Sequence, residues 1–480
     1  MEMIANYING ELKPPHSADY LDDVNPATAE TFAKIPLSDE EDLKSAIASA
    51  EKAFPDWSGL SAKERANYLM KISNLIKDNL EELALAESID TGKPIQLAKT
   101  VDIPRAASNM EFFAHAITQF SSESHAGKDS INYTLRKPIG VVACISPWNL
   151  PLYLFTWKIA PALASGNCVI AKPSEITPYT AYLFSKICIE AGLPKGVLNI
   201  LHGTGPEIGN AIVQNKKVKA ISFTGGTATG RKIAEISAPM FRKVSLELGG
   251  KNPALVFADC NLDKTVEGLV RASFTNQGEI CLCASRIYIE ESIYDDFKTR
   301  FVEKVKALTV GNPSNQNTNM GALVSAQHLE KVKSYIALAK EEGGKLLCGE
   351  EAIELDEHTT KNGYFLRPHV FENLSNHCRT NQEEIFGPVV SLNIFKNENE
   401  ATSLANESEY GLASTIWTNN LPRAHRIGNQ IETGIVWINC WMNRDLRTPF
   451  GGMKNSGLGR EGGLEALRFF TEPKNICIQF

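Results

Sequence analysis

The 480-residue sequence contains no run of about eighteen apolar residues, so no transmembrane helix is expected. It has no excess of positive charge. Its 49 Lys and Arg stand against 56 Asp and Glu, a formal net charge of −7, and the pI is about 5.8. Nucleic-acid binders and membrane-surface proteins usually carry basic faces, so neither kind of partner is expected. The ten cysteines are scattered, without the spacing of a disulfide framework or of a metal site. Reduced thiols, a cytoplasmic location and no metal are the expectations. The opening Met1-Glu-Met-Ile-Ala-Asn-Tyr7 lacks the basic and apolar regions of a secretory signal, which agrees with that location. Internal repeats, low-complexity segments and a P-loop are also missing, so a nucleoside triphosphatase is not supported. What is present is ordinary for a globular protein: 43% hydrophobic and 22% charged residues. The length predicts two or three domains.

Residues 7–30 read as short strands and turns, with Asn9-Gly10 as a hairpin signal. Ser38-x-x-Glu41 and Ser61-x-x-Glu64 are capping boxes that open two helices. The second is long and runs toward Ile89, where Asp90-Thr-Gly-Lys-Pro94 stops it. A third helical stretch covers 95–120, with Pro104 as a kink or restart. Tyr133 to Pro138 alternates like a strand. From Gly140 onward largely apolar strands (Val141–Ser146, Val169–Lys172, Val197–Leu201, Ala220–Phe223) alternate with helices over Tyr179–Ala191, Ile208–Val213 and Arg231–Ser237. That alternation predicts an α/β fold with a parallel sheet covered on both faces and ligands at the carboxyl ends of its strands. Helices over 291–308 and 326–342 predict a second α/β region. The tail Lys474–Phe480 alternates and suits an edge strand on a neighbour's sheet.

Three strand ends carry polar signatures. Ser146-Pro-Trp148-Asn149 follows the first strand and Lys172-Pro-Ser174-Glu175 the second. Thr224-Gly225-Gly226-Thr-Ala-Thr-Gly230 leads into a helix, and glycines before a helix N-terminus suit a pyrophosphate. Gly203-Thr-Gly205-Pro-Glu-Ile-Gly209 is one residue off the dinucleotide fingerprint, and Pro206 removes an N–H. It reads as a turn into a helix.

The chemistry concentrates in Phe274-Thr-Asn-Gln-Gly-Glu-Ile-Cys281-Leu-Cys283. A helical pattern through Leu262, Val266, Leu269, Val270 and Phe274 ends at Gly278, and a strand-like run starts at Arg286. Cys281 therefore sits on a short loop between packed elements, where a nucleophile is held yet reachable. Ser245-Leu-Glu247-Leu248-Gly-Gly-Lys251 supplies a carboxylate beside two glycines. A free thiol is only a few per cent ionised at neutral pH, so it needs a base, and no His lies nearby in sequence. Glu247 acting through water is the candidate. Taken singly, Cys281 reads equally as a buried apolar residue and Glu247 as a strand-end acid.

Together the two motifs resemble the aldehyde dehydrogenase superfamily, whose signatures run close to LELGGK and F-x-N-x-G-(Q/E)-x-C. The likeness extends over nearly the whole chain, including Glu383-Glu-Ile-Phe-Gly-Pro-Val389 and the Gly-rich run Pro449–Gly462. It implies that Cys281 attacks an aldehyde carbon, that hydride passes to NAD(P), and that Glu247 activates the water that cleaves the thioester. It implies an oxyanion hole from the Asn149 amide and the Cys281 N–H. Ribose contacts fall on Lys172 and Glu175, and on Glu384 for the nicotinamide side, with Phe386 against the nicotinamide ring. Pyrophosphate approach falls on Gly225 and Gly230. Ser146, Trp148, Ser174, Gly205, Gly226 and Leu248 complete the implied cofactor contacts. Gly226 departs from the family, which often has Ser there. Glu175 would repel a 2′-phosphate, so NAD is expected over NADP. The implied architecture is a Rossmann-type NAD-binding domain (1–118 and 139–249) and a catalytic α/β domain (250–450). Bridging strands (119–138 and 464–480) would make a homodimer or homotetramer.

Arg105 and Arg444 fall where many family members place apolar residues lining the aldehyde tunnel. Guanidiniums there are costly unless they meet an anion, and their forks match a carboxylate. A substrate with an aldehyde at one end and a carboxylate at the other is expected. Pairing of the two arginines with Asp445 and Glu111 is the structural alternative, and Arg447 ranks third. The stretch Asn439–Gly452 looks closest to the branch containing 2-aminomuconic and 2-hydroxymuconic semialdehyde dehydrogenases. A general aldehyde dehydrogenase (betaine, retinal or aliphatic aldehyde) and a CoA-acylating enzyme are the other readings. The second does not need Glu247.

Overall fold

The computed structural model describes residues 1–355 and 360–480. Two twisted sheets carry the fold. The first has eight strands in the spatial order Gly457–Leu458, Lys243–Glu247, Val218–Thr224, Val141–Ile145, Cys168–Lys172, Leu198–Ile200, Asn6–Ile8 and Glu11–Lys13. The five from Lys243–Glu247 to Leu198–Ile200 are parallel, and the outer three pair antiparallel. Val141–Ile145 and Cys168–Lys172 are buried at every position, which is why they read as unbroken apolar runs. The strand order reverses between Val141–Ile145 and Val218–Thr224, and the carboxyl ends of adjacent strands at such a point open a crevice.

The second sheet runs Lys345–Cys348, His369–Glu372, Val389–Phe395, Ala284–Glu290, Asn252–Val256, Ala413–Trp417 and Ile435–Ile438. All but the first of these pair parallel. The chain crosses from one sheet to the other through Leu248-Gly-Gly-Lys251. That crossing places Glu247, at the end of a strand of the first sheet, beside the loop that precedes Ala284–Glu290 of the second.

Local chemistry explains where elements depart from expectation. The hairpin at Asn9 (φ 56°) and Gly10 (φ 77°) forms as expected. The first helix, Glu40–Gly59, is capped by Asp39 rather than Ser38. The Asp39 side chain accepts from Glu41 and Asp42 N–H, Asp42 reciprocates, and the Ser38 hydroxyl donates to Asn6 Oδ1 at 2.9 Å instead. The expected long helix is two, Ala62–Asp78 and Leu80–Thr91. It breaks at Asn79, whose side chain donates to the Leu75 carbonyl at 2.8 Å and competes with the helical ladder. Pro104 lies inside a helical run that is unbroken from Ile95–Leu97 through Ile103–Thr118, directly after the π-helical turn Ala98–Asp102, so the chain does not restart there. The helix expected from Arg231 begins at Thr227, with Gly226 as its N-cap. The C-terminal strand Thr471–Gln479 pairs along its length with Ser130–Pro138 of the same chain and forms the edge of that sheet. Together with Ser124–Ala126 these make a separate three-stranded sheet. Among the described residues no helix is long and apolar enough to cross a membrane.

Candidate active site

The helix Leu262–Phe274 is followed by a turn in which Asn276 (φ 52°), Gln277 (φ 57°) and Gly278 (φ 75°) are left-handed in succession. Two non-glycine residues there are strained and need anchors. Asn276 Nδ2 donates to the carbonyls of Asn149 (3.1 Å) and Glu279 (3.3 Å), and Gln277 Oε1 accepts from Gly321 N–H at 3.2 Å. At Gly278 a Cβ would lie 2.6 Å from the Gly387 carbonyl oxygen, so only glycine fits. The loop beyond is held by three hydrogen bonds from two side chains. Asn252 Nδ2 donates to the carbonyls of Cys281 (2.7 Å) and Cys283 (2.9 Å), and Trp441 Nε1 donates to that of Leu282 (2.9 Å).

Cys281 is half-buried and borders three hollows, two of which open on opposite sides of it. On one side lies a cleft of about 200 Å³ at the strand-order reversal, lined by Trp148, Gly225, Gly226, Leu248, Glu384 and Phe386. On the other lies a narrow tunnel of about 20 Å³ lined by Tyr153, Glu247, Leu282, Met442, Arg444 and Phe450. Asn149 lines the cleft, and its Nδ2 donates to the Glu279 carbonyl at 2.9 Å. An amide nitrogen carries two hydrogens, so one remains to donate.

Burial pushes the Cys281 thiol up to about 12. The carboxylates of Glu384 and Glu247 add to the rise, while Arg444 and the residue's own N–H oppose it. Both carboxylate oxygens of Glu247 are buried without a hydrogen-bond partner. Burial, then the nearby Glu461 charge, holds Glu247 well above the usual carboxylate range, against Lys158, Arg460 and Arg444. Glu461 is itself tied to Lys158 at 2.6 Å and to the Ser222 hydroxyl at 2.8 Å.

The three candidate arginines divide sharply. Arg447 is exposed and paired with Asp445 at 2.6 Å, and Glu111 is paired with Lys77 at 2.6 Å. The two acids weighed as partners for Arg105 and Arg444 are thus engaged elsewhere, and of the two arginines Arg444 lines the tunnel. Among the described residues neither Arg105 nor Arg444 forms an ion pair. Arg444 donates to the Tyr153 hydroxyl at 2.5 Å and lies over the Phe450 ring at 4.0 Å. Arg105 lies 5.8 Å over the Tyr153 ring.

At the far end of the cleft Lys172 and Glu175 pair at 2.9 Å, and Glu175 also accepts from Gly205 N–H at 3.1 Å. Burial lowers Lys172 despite its partner. For Glu175 burial works upward, but Lys172 and the backbone donors outweigh it and lower the carboxyl. Ser174 is engaged in its own turn, accepting from Ile176 N–H at 3.2 Å. Gly225 and Gly230 are required by packing, since a Cβ would meet the Phe223 ring at 2.5 Å or Leu248 at 2.4 Å. Gly226 faces open space. Glu384 accepts from Gly250 N–H at 2.8 Å, and burial raises its carboxyl.

Sequence reasoning missed His328 and Lys331, which also line the cleft. They stand three apart on Ala326–Glu341, a helix whose charged residues read as a solvent face. It also missed Asn252 as the anchor of the nucleophile loop. Among the described residues no cluster of three His, Cys, Asp or Glu is placed to hold a metal ion.

The cleft suits a dinucleotide on its own features. Ser146 Oγ and Thr224 Oγ1, at the carboxyl ends of adjacent parallel strands, are buried without partners. Gly226, which faces open space and lines the cleft with Thr224, caps a helix N-terminus there. Glu175 and Glu384 offer acceptors for diols. The family model described as "Aldehyde dehydrogenase family" matches residues 13–476. The chain is similar to the 2-aminomuconic semialdehyde dehydrogenase of Mus musculus, 48% identical across 100% of this chain and 98% of that protein. It is also similar to the 2-hydroxymuconic semialdehyde dehydrogenase of Pseudomonas sp. (strain CF600), 43% identical across 100% of both. A solved NAD+ complex of an aldehyde dehydrogenase from Bacillus cereus superposes with a TM-score of 0.96. It is 37% identical over 100% of this chain and 97% of that one.

Proposed function

The chain belongs to the aldehyde dehydrogenase family, and from that premise we propose that it oxidises a carboxylate-bearing semialdehyde, of the 2-aminomuconate or 2-hydroxymuconate type, to the dicarboxylic acid. The observation that carries the substrate class is the tunnel beside Cys281. It holds Arg444 with no acid partner among the described residues, next to Tyr153, over which Arg105 also lies. The names of similar proteins support the same class.

Cys281 is the nucleophile. Its thiol, pushed up to about 12, is protonated at neutral pH and must lose its proton to attack the aldehyde carbon. Glu247, unpartnered and held above the carboxylate range, is the group able to take that proton directly or through water. The free hydrogen of the Asn149 amide and the Cys281 N–H receive the developing oxyanion. One such donor is worth about a hundred- to a thousandfold in rate. NAD, when bound in the cleft, supplies the hydride acceptor. Cys281 then holds the acyl group as a thioester. Glu247, having released the thiol's proton to solvent, takes a proton from the water that attacks the thioester and returns it to the departing thiolate, so the acid leaves with the thiol restored.

Glu175, Lys172 and Glu384 hold the cofactor's ribose hydroxyls, Gly226 and Ser146 border its phosphates, and Trp148, Leu248 and Phe386 flank its rings. Glu175 favours NAD over NADP by repelling a 2′-phosphate. The enzyme works in the cytoplasm as a homodimer or homotetramer, joined through the three-stranded sheet that stands apart from the two main ones. The test is NADH formation from a muconic-type semialdehyde without CoA, in wild type and Cys281→Ala. Turnover in wild type and none in the variant is expected. A requirement for CoA, or turnover in the variant, would overturn the mechanism.

A further inference from the structure

Phe386 is left-handed, with φ 61°. A bulky aromatic residue adopts that conformation only where its surroundings compel it, and such strain gathers at functional sites. Its surroundings trace to one helix. The Phe386 carbonyl accepts a hydrogen bond from His328 Nε2 at 2.7 Å. A Cβ on the next residue, Gly387, would meet Val332 at 2.6 Å, one turn further along the same helix, Ala326–Glu341. The Trp148 ring lies edge-on to both partners, 5.2 Å from His328 and 5.2 Å from Phe386.

A carbonyl can only accept, so Nε2 must carry the hydrogen. Burial lowers His328 to about 4, against the Phe386 carbonyl, so the ring is neutral at working pH and keeps that tautomer. The contact continues inward. His328 Nε2 is 3.5 Å from Glu279 Oε1. That oxygen accepts from Val324 N–H at 3.2 Å, just before the same helix, and the Glu279 main-chain carbonyl accepts from the Asn149 amide at 2.9 Å. His328 thus bonds the segment bearing Phe386 and lies beside Glu279, whose main chain holds the oxyanion amide.

We propose that His328 is a positioning residue that holds Phe386 in its strained backbone and so sets the ring that borders the cofactor beside Cys281. Glu279, beside the His328 ring, holds Asn149 through its main-chain carbonyl. The inference rests on the reading that the cleft holds NAD. It adds a residue whose effect passes through Phe386.

Two variants separate the clamp from simple packing. His328→Phe keeps a ring of similar size and removes the donor, whereas His328→Gln keeps a donor. For each, NADH binding is titrated by its fluorescence, kcat and the KM for NAD are measured separately, and the Phe386 backbone is read from a crystal structure. Alkylation of Cys281 by iodoacetamide serves as a check that the nucleophile loop is intact. The expected result for His328→Phe is NADH binding weakened about tenfold, as loss of one buried hydrogen bond allows. kcat should fall as well, Phe386 should leave the left-handed region, and alkylation should stay near wild type. His328→Gln should recover most of the binding and the backbone. If His328→Phe binds NADH and turns over like wild type, or His328→Gln fails as badly as His328→Phe, the clamp is overturned while NAD use stands. If wild type binds no NADH, both fall together.

Discussion

Arg444 touches the chemistry twice. It stands in the tunnel where a substrate carboxylate would arrive, and its charge opposes the rise of both the Cys281 thiol and the Glu247 carboxyl. Arg444→Met removes the charge while keeping the tunnel filled. Alkylation of Cys281 by neutral iodoacetamide should speed up with rising pH in wild type, because only the thiolate reacts. In the variant that rise should move to higher pH still. Coincident profiles would mean that the guanidinium does not act on the thiol. Glu247 gives a second pH effect. A base works only when ionised, and its folded value lies above the ordinary carboxylate range. Turnover should therefore fall as pH drops through a midpoint higher than a free Glu would give, and Glu247→Gln should lose turnover while its thiol still alkylates. Glu175 gives a third. Glu175→Gln should narrow the preference for NAD over NADP by about tenfold, or about 1.4 kcal/mol, in kcat/KM. Equal use of both cofactors by wild type would contradict its role.

The decisive element is the turn between Leu262–Phe274 and Ala284–Glu290. From sequence the helix, the stop and the following strand were legible, because the apolar period changes there and Gly278 marks the bend. The left-handed pair Asn276 and Gln277 was not, since their conformation is imposed by partners far along the chain, Asn149 and Gly321. Gly278→Ala would place a methyl group 2.6 Å from the Gly387 carbonyl oxygen in a left-handed backbone. A cost of about 1–3 kcal/mol in stability is expected, with loss of Cys281 alkylation at its wild-type rate. A variant with an unchanged melting temperature would show that the turn can relax. The same logic explains the other local differences. Asp39 displaced Ser38 as cap because it is the better placed of two adjacent capping residues. The break at Asn79 follows from a side chain that competes with its own helix. His328 and Lys331 were hidden because three-residue spacing on a charged helix looks alike whether it faces solvent or a cleft.

Across the whole molecule, buried polar groups join segments that the sequence keeps apart. Lys93, Glu87 and Asp102 are fully buried together, and Lys93 Nζ also donates to the Asn149 carbonyl at 3.0 Å. Lys93→Met leaves two buried acids unpaired. It should cost about 3–5 kcal/mol, read as a lowered denaturant midpoint. Adding Glu87→Gln and Asp102→Asn should recover part of it. No recovery would mean that the lysine's shape, not its charge, matters. The α/β class and the parallel sheet were legible in apolar strands alternating with helices. The pairing of the tail with Ser130–Pro138 was not, because an alternating strand does not state its partner. The same sheet underlies the proposed assembly, and light scattering should give a mass of at least twice the 52.7 kDa chain. A monomer would contradict it.

The central claim is that Arg105 and Arg444 read a substrate carboxylate. It is tested by kcat/KM for a muconic-type semialdehyde against an uncharged aldehyde of similar length, in wild type and in the Arg105→Ala, Arg444→Ala double variant. Wild type should prefer the charged substrate by on the order of a hundredfold, about 2.7 kcal/mol, and the double variant should lose that preference while still oxidising the uncharged aldehyde. Equal efficiency of wild type toward both substrates, or a preference that survives in the double variant, would contradict it.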